Sequence, residues 1–147
     1  MARDHSADPV KQLFNVIEYQ SLTVLFQPII DLSNSSIIGY EGQIRGPSGD
    51  LLHSPVLLYH LAKQADKLLD LENLCFQLTV ESFVELKLQG ILFLKLDVDV
   101  FLKHKFKEVL AVQAIEKAGI APQNVVISLC VHGLYDMDNP YLLPKII

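Results

Sequence analysis

Two apolar, strand-like runs, residues 23–32 and 37–45, are separated by only the four residues SNSS. Ser and Asn favour tight turns, because their short polar side chains bond to the neighbouring backbone. So short a connection joins two strands only as an antiparallel hairpin, since a parallel pair needs a crossover of about a dozen residues or more. Pro28 cannot donate a backbone hydrogen bond, which places the first strand at an edge or an irregularity of the sheet.

After the hairpin, helical and strand-like patterns alternate along the chain. The patterns indicate helices over residues 10–20, 55–67, 70–89 and 100–119 and strands over 91–98 and 124–131. Helices alternating with apolar strands are typical of a mainly parallel sheet covered by helices. The 147 residues are enough for one domain with a sizeable core. We therefore predict an α/β domain over residues 10–147, preceded by a flexible tail, residues 1–9.

Three of the predicted strands carry polar side chains near their carboxyl ends. Because side chains alternate along a strand, Glu41, Gln43 and Arg45 share one face. Lys95 and Ser128 lie on the two later strands. The carboxyl ends of parallel strands are where α/β folds build their sites. From the pattern alone, these residues are either such a site or ordinary polar strand ends exposed to water.

Composition excludes several classes of function. The net charge is −5 and there is no cluster of Lys or Arg, so a duplex nucleic acid is not an expected partner. No apolar run reaches the roughly 18 residues of a membrane span, and the first ten residues do not resemble a signal peptide. Cys75, Cys130 and the five scattered histidines lack metal-ligand spacing. We expect a cytoplasmic protein whose cysteines are packed, reduced thiols.

Four segments resemble, in order and in spacing, those of the EAL domain, the bacterial cyclic di-GMP phosphodiesterase family. They are FQPIIDLSNSSIIGYEGQIRGP, GDLLHSPVLLYHLAKQ, ILFLKLDVDVF and IAPQNVVISLCVHG. The resemblance implies a modified TIM-like barrel whose first strand runs antiparallel, in agreement with the hairpin. A complete barrel takes about 250 residues. The chain would then be the N-terminal part of such a barrel, either a piece of a longer protein or a shortened module.

The resemblance implies a degenerate site. EAL domains bind Mg²⁺ or Mn²⁺ through oxygen ligands at the barrel mouth. Glu41 matches the first metal ligand, Arg45 matches the arginine that contacts the dinucleotide phosphate, and Gln27 matches the glutamine of the opening strand. Lys95 stands in place of an asparagine ligand, and Ser128 stands in place of a glutamate ligand. Two-metal hydrolysis needs several carboxylates, so we expect no catalytic residue, no bound metal and no enzymatic activity.

Two functions follow from this resemblance. The first is a catalytically inactive EAL-type module in cyclic di-GMP signalling that acts through protein contacts, as a homodimer or with flanking signalling domains. We expect the dimer to bury the edge of strand 124–131 or the apolar end YLLPKII. The alternative is a cyclic di-GMP phosphodiesterase or sensor that needs the missing C-terminal half. Gln27 and Arg45 support weak binding of the dinucleotide.

Because Glu41 is expected to have no metal ion to bind, its carboxylate needs another cation. A partly buried carboxylate without its cation is costly, and an ammonium group is the simplest replacement. We therefore expect the Lys95 amine within salt-bridge reach of Glu41, or of Asp97 if its side chain swings outward. Asp99 follows the strand at the start of the next helix, and we expect it to be the N-cap of that helix.

Overall fold

The computed structural model describes residues 8–104 and 111–131. Its helices and strands are α1 (Pro9–Glu18), β1 (Thr23–Asp31), β2 (Ser36–Arg45), α2 (Pro55–Gln64), α3 (Leu68–Glu85), β3 (Ile91–Asp97), α4 (Val98–Lys103), α5 (Ala111–Lys117) and β4 (Val125–Cys130). The predicted order of helix, hairpin, helices, strand, helix and strand is confirmed for these residues. Residues 1–7 of the predicted tail and the apolar end, residues 141–147, lie outside the described residues.

The four strands form one sheet in the order β1-β2-β3-β4. β1 pairs antiparallel with β2, and the next two pairs are parallel, as the short turn and the alternating helices predicted. Among the described residues, β1 lies at an edge of the sheet, and its register with β2 shifts between Ile29 and Ile30, directly after Pro28. Both features fit a proline that cannot donate to the ladder. The prediction of an α/β fold with an antiparallel first strand is therefore confirmed.

Several helix ends differ from the prediction; α2, for example, ends at Gln64 rather than at residue 67. α3 ends at Glu85 because Lys87 adopts a left-handed φ of 55°, and the Leu88 N–H bonds back to the Phe83 carbonyl at 3.2 Å. The continuous helix predicted over 100–119 is wrong. α4 ends at Lys103, because the next residue has extended dihedral angles. Residues 105–110, between α4 and α5, lie outside the described residues.

The helices cover one face of the sheet and form the core with it. Leu92, Leu94 and Leu96 alternate along β3 and are almost completely buried against this helical layer. Phe26 of β1 packs edge-on against Phe83 of α3, with ring centroids 6.0 Å apart. Each side chain buried to this extent contributes roughly 1.5–3 kcal/mol of transfer free energy. This packing fixes which face of each strand points away from the helices.

Gly42 brings α3 close to β2. A Cβ atom at this position would lie 2.4 Å from the Thr79 methyl group, so a larger residue would push the helix away from the strand. Gly42 points toward the helices, and its neighbours Glu41 and Gln43 therefore point to the opposite face. We call this opposite surface the open face, defined by Gln27, Glu41, Gln43, Arg45, Lys95 and Ser128.

Candidate ligand site

The open face brings together polar side chains from all four strands. Gln27 of β1 lies opposite Glu41 of β2 in the antiparallel register. Glu41 is in turn opposite Phe93 of β3, and Lys95, two residues further on, is opposite Ser128 of β4. The residues singled out in the sequence therefore lie on adjacent strands of one surface.

Glu41 and Lys95 form an ion pair on this face. The Lys95 Nζ atom lies 3.0 Å from Glu41 Oε1, and the two side chains are 35% and 20% exposed, respectively. The predicted contact between these residues is confirmed. Asp97, the alternative partner of Lys95, forms an ion pair with Lys63. The ammonium group neutralises the carboxylate that would otherwise be available to a cation.

Gln43 connects Gln27 and Arg45 on the open face. Its side-chain amide donates a hydrogen bond to Gln27 Oε1 across the strands. Arg45 Nη2 donates to Gln43 Oε1 at 3.4 Å, and Arg45 Nη1 donates to the Ile44 carbonyl at 2.9 Å. These bonds hold the guanidinium along the strand. The sequence alone predicts no role for Gln43, although its alternation with Glu41 and Arg45 indicates that the three side chains share a face.

The donor set does not fit a divalent metal ion. Mg²⁺ and Mn²⁺ are bound by several oxygen ligands, usually including more than one carboxylate. On the open face the carboxylate of Glu41 is paired with an ammonium group, whose positive charge would repel a cation. Within residues 8–104 and 111–131, no three His, Cys, Asp or Glu side chains are grouped closely enough to hold a metal.

A second polar cluster lies at the carboxyl end of β3. Lys63 of α2 binds both Asp97 and Asp99, with each Nζ–Oδ2 distance 3.1 Å. Asp97 Oδ1 also accepts the Asp99 N–H at 2.9 Å. The prediction that Asp99 is the N-cap of the following helix is therefore wrong. Asp97 is the cap, because α4 begins directly after the strand at Val98 and Asp99 already belongs to its first turn.

Glu72 of α3 binds the backbone at this end of β3 from within the core. It is completely buried, and its Oε1 atom accepts the Asp97 N–H at 2.8 Å. Burial raises the pKa of Glu72 to about 8, and the negative charge of Asp97 adds to the effect. The sequence analysis missed this cluster of Lys63, Glu72, Asp97 and Asp99. The only hint of this cluster in the sequence was the acidic residue Glu72 among the apolar residues of α3.

Both cysteines are free thiols. Burial raises the pKa of Cys130 to about 12 and raises that of Cys75 further. The Tyr59 hydroxyl donates to the Cys75 sulfur at 3.5 Å, and Cys130 donates to the Leu96 carbonyl at 3.5 Å. A thiol with such a high pKa is protonated at neutral pH and is a poor nucleophile. The cysteines therefore act as packing groups, in line with the sequence analysis.

The sheet opens with an antiparallel hairpin, continues in parallel and packs against helices, an arrangement that fits part of a TIM-barrel-like α/β fold. No protein-family model matches the sequence, and the search of curated proteins found no significant match. Similarity to known proteins is therefore seen at the level of solved structures.

Several solved EAL domains share this fold. The FimX EAL domain aligns with a TM-score of 0.67 and 25% identity, over 85% of this chain and 52% of that one. The FimX EAL domain from Pseudomonas aeruginosa bound to c-di-GMP aligns with a TM-score of 0.67 and 24% identity, over 84% and 50%. The EAL enzyme Bd1971, in its cAMP- and cyclic-di-GMP-bound form, aligns with a TM-score of 0.64 and 18% identity, over 82% and 35%.

The protein therefore has the fold of an EAL domain, as its sequence motifs predicted. It spans between about a third and a half of the length of these relatives. None of the helices in the described part of the chain is long and apolar enough to cross a membrane.

Proposed function

We propose that this protein is an EAL-type module of cyclic di-GMP signalling that has no phosphodiesterase activity and acts through protein contacts. The observation that carries the proposal is the ion pair between Lys95 and Glu41 at 3.0 Å. In the sequence motif, Glu41 matches the first metal ligand, and here its charge is satisfied by an ammonium group. Ser128, beside Lys95 in the next strand, offers a hydroxyl where a glutamate would supply a second carboxylate.

Metal ions are expected to leave both the stability and the chemistry of this protein unchanged. Addition of Mg²⁺ or Mn²⁺ should not raise the melting temperature, although a ligand at 100 times its Kd would add about 2.7 kcal/mol. Cyclic di-GMP incubated with the protein and either ion should not be hydrolysed. Lys95→Asn combined with Ser128→Glu should restore a metal-dependent rise in the melting temperature without turnover. Hydrolysis by the unmodified protein would refute the proposal.

A second candidate function is binding of cyclic di-GMP without hydrolysis. Arg45 and Gln27 match ligand contacts of the family, and Gln43 links them on the open face through two side-chain hydrogen bonds. A guanidinium held by neutral acceptors retains its charge for a phosphate. Two of the similar structures, the FimX domain from Pseudomonas aeruginosa and Bd1971, contain bound cyclic di-GMP. Titration with the dinucleotide in the absence of metal tests this candidate.

The protein contacts that we propose include self-association through β4. This strand is an edge of the sheet in the described part of the chain, and Val126 and Leu129 are both 39% exposed. Unpaired backbone groups beside apolar side chains favour pairing with a second copy. Sedimentation at micromolar concentration should show a dimer, with an interface above about 1,000 Å² in total.

A charged substitution on β4 tests the position of this interface. Val126→Lys should shift the sedimenting species to the monomer, because it places a charge in an apolar contact. Leu32→Lys is the matched control, since Leu32 is 93% exposed in the β1–β2 turn, away from β4. A monomeric unmodified protein, or a dimer that Val126→Lys leaves intact, would contradict the assignment.

A further inference from the structure

We propose that Glu41 is an internal competitor for phosphodiester ligands at the open face. Its carboxylate forms an ion pair with the Lys95 ammonium group. Without this ion pair, Lys95 and Arg45 could together bind a phosphate of the ligand. This inference rests on the second candidate function above, the binding of cyclic di-GMP. It predicts that Glu41 opposes ligand binding, whereas a glutamate that holds a metal ion promotes it.

The charges of the open face support this assignment. Among the residues that define it, the face carries two cations, Lys95 and Arg45, and one carboxylate, Glu41; the nearby Asp97 is paired with Lys63. Arg45 hydrogen-bonds to two neutral oxygens, those of Gln43 and Ile44, and makes no ion pair with any residue that the structure describes. Glu41 therefore neutralises Lys95 and leaves one net positive charge, that of Arg45.

The geometry of the ion pair leaves it open to an incoming anion. Lys95 is 35% exposed and Glu41 is 20% exposed, so the pair is not sealed inside the core. The other carboxylate near the end of β3, that of Asp97, is bound to Lys63 of α2 and so has a cation of its own.

The exchange of partners has an electrostatic cost. A phosphate that binds Lys95 must displace the Glu41 carboxylate, and the displaced carboxylate then repels the phosphate from a few ångströms away. Even with the full screening of water, one like charge about 4 Å away lowers affinity by roughly fivefold, and near a protein surface by more. Replacing the carboxylate by an amide removes both the competition and the repulsion, while it keeps the size of the side chain and one acceptor oxygen.

The test is a titration with cyclic di-GMP, without divalent ions and at low salt, of the unmodified protein and three variants. Glu41→Gln is expected to bind at least about fivefold more tightly than the unmodified protein. Glu41→Gln combined with Lys95→Gln should lose this gain, because the freed ammonium is then absent. The matched control is Glu81→Gln, which removes an exposed acid from α3 and should leave the affinity unchanged. Melting curves confirm that each variant is folded.

The possible outcomes separate this inference from the function on which it rests. If the unmodified protein binds and Glu41→Gln binds equally or more weakly, the inference is overturned while ligand binding stands. If only Glu41→Gln binds, the inference is supported, and binding by the unmodified protein is rejected. If neither binds, both are rejected. A gain that survives the loss of Lys95 also overturns the inference, since the gain would then not depend on the freed ammonium.

Discussion

The free energy of unfolding is expected to fall by several kcal/mol between about pH 4.5 and pH 8 through Glu72 alone. Burial raises the pKa of this carboxyl group from 4.5 to about 8 in the folded protein. Within that window the folded state holds a proton that the unfolded state has released, so stability decreases as the pH rises. Each pH unit contributes about 1.4 kcal/mol. Below this window both states are protonated, and Glu72 contributes no pH dependence.

The Glu72→Gln variant isolates this contribution. The amide oxygen can still accept the hydrogen bond from the Asp97 N–H, but it cannot ionise. Denaturant unfolding at pH 5 and pH 8 should therefore show a much smaller difference for the variant than for the unmodified protein. Glu81→Gln, an exposed substitution on the same helix, should keep the original difference. An equal pH dependence in Glu72→Gln would show that Glu72 does not retain its proton in the folded state.

Replacing Asp97 by alanine is expected to lower the free energy of unfolding by about 3 kcal/mol. The substitution removes the cap of α4, which accepts the Asp99 N–H, and one of the two carboxylates that bind Lys63. Asp97 is completely buried, so its partners lose a contact that water does not easily replace. Lys63 keeps its contact with Asp99, which holds the expected loss near the lower end for a broken buried ion pair.

Two further variants assign the cause of this loss. Asp97→Asn keeps a side-chain oxygen for the cap but removes the charge, so its effect should be smaller than that of alanine. Asp70→Ala breaks the exposed ion pair with Lys67, in which the atoms are also 3.1 Å apart, and should cost less than about 1 kcal/mol. Denaturant unfolding at neutral pH measures the loss of unfolding free energy in all three variants, Asp97→Ala, Asp97→Asn and Asp70→Ala. A similar small loss for Asp97→Ala would mean that the cluster at the end of β3 is not cooperative.

Much of the fold was predictable because it depends on short-range patterns. The four-residue turn SNSS requires an antiparallel pair whatever the rest of the chain does. The alternation of side chains placed Glu41 and Arg45 on one face. The contact between Glu41 and Lys95 was predicted from the resemblance to EAL domains, which sets both residues at metal-ligand positions, together with their opposite charges.

Other features depend on contacts between distant parts of the chain. Lys63, Glu72 and Asp97 meet only because α2 and α3 pack over the end of β3, and no local pattern states where two helices cross a strand. The N-cap of α4 is Asp97 rather than the predicted Asp99, because the end of β3 sets where the first turn of α4 begins. The link from Gln27 through Gln43 to Arg45 likewise depends on cross-strand register and side-chain rotamers. Amino-acid patterns along the chain specified the elements and the faces of the strands, whereas packing chose the partners of buried polar groups, since each unsatisfied one would cost about 1–3 kcal/mol.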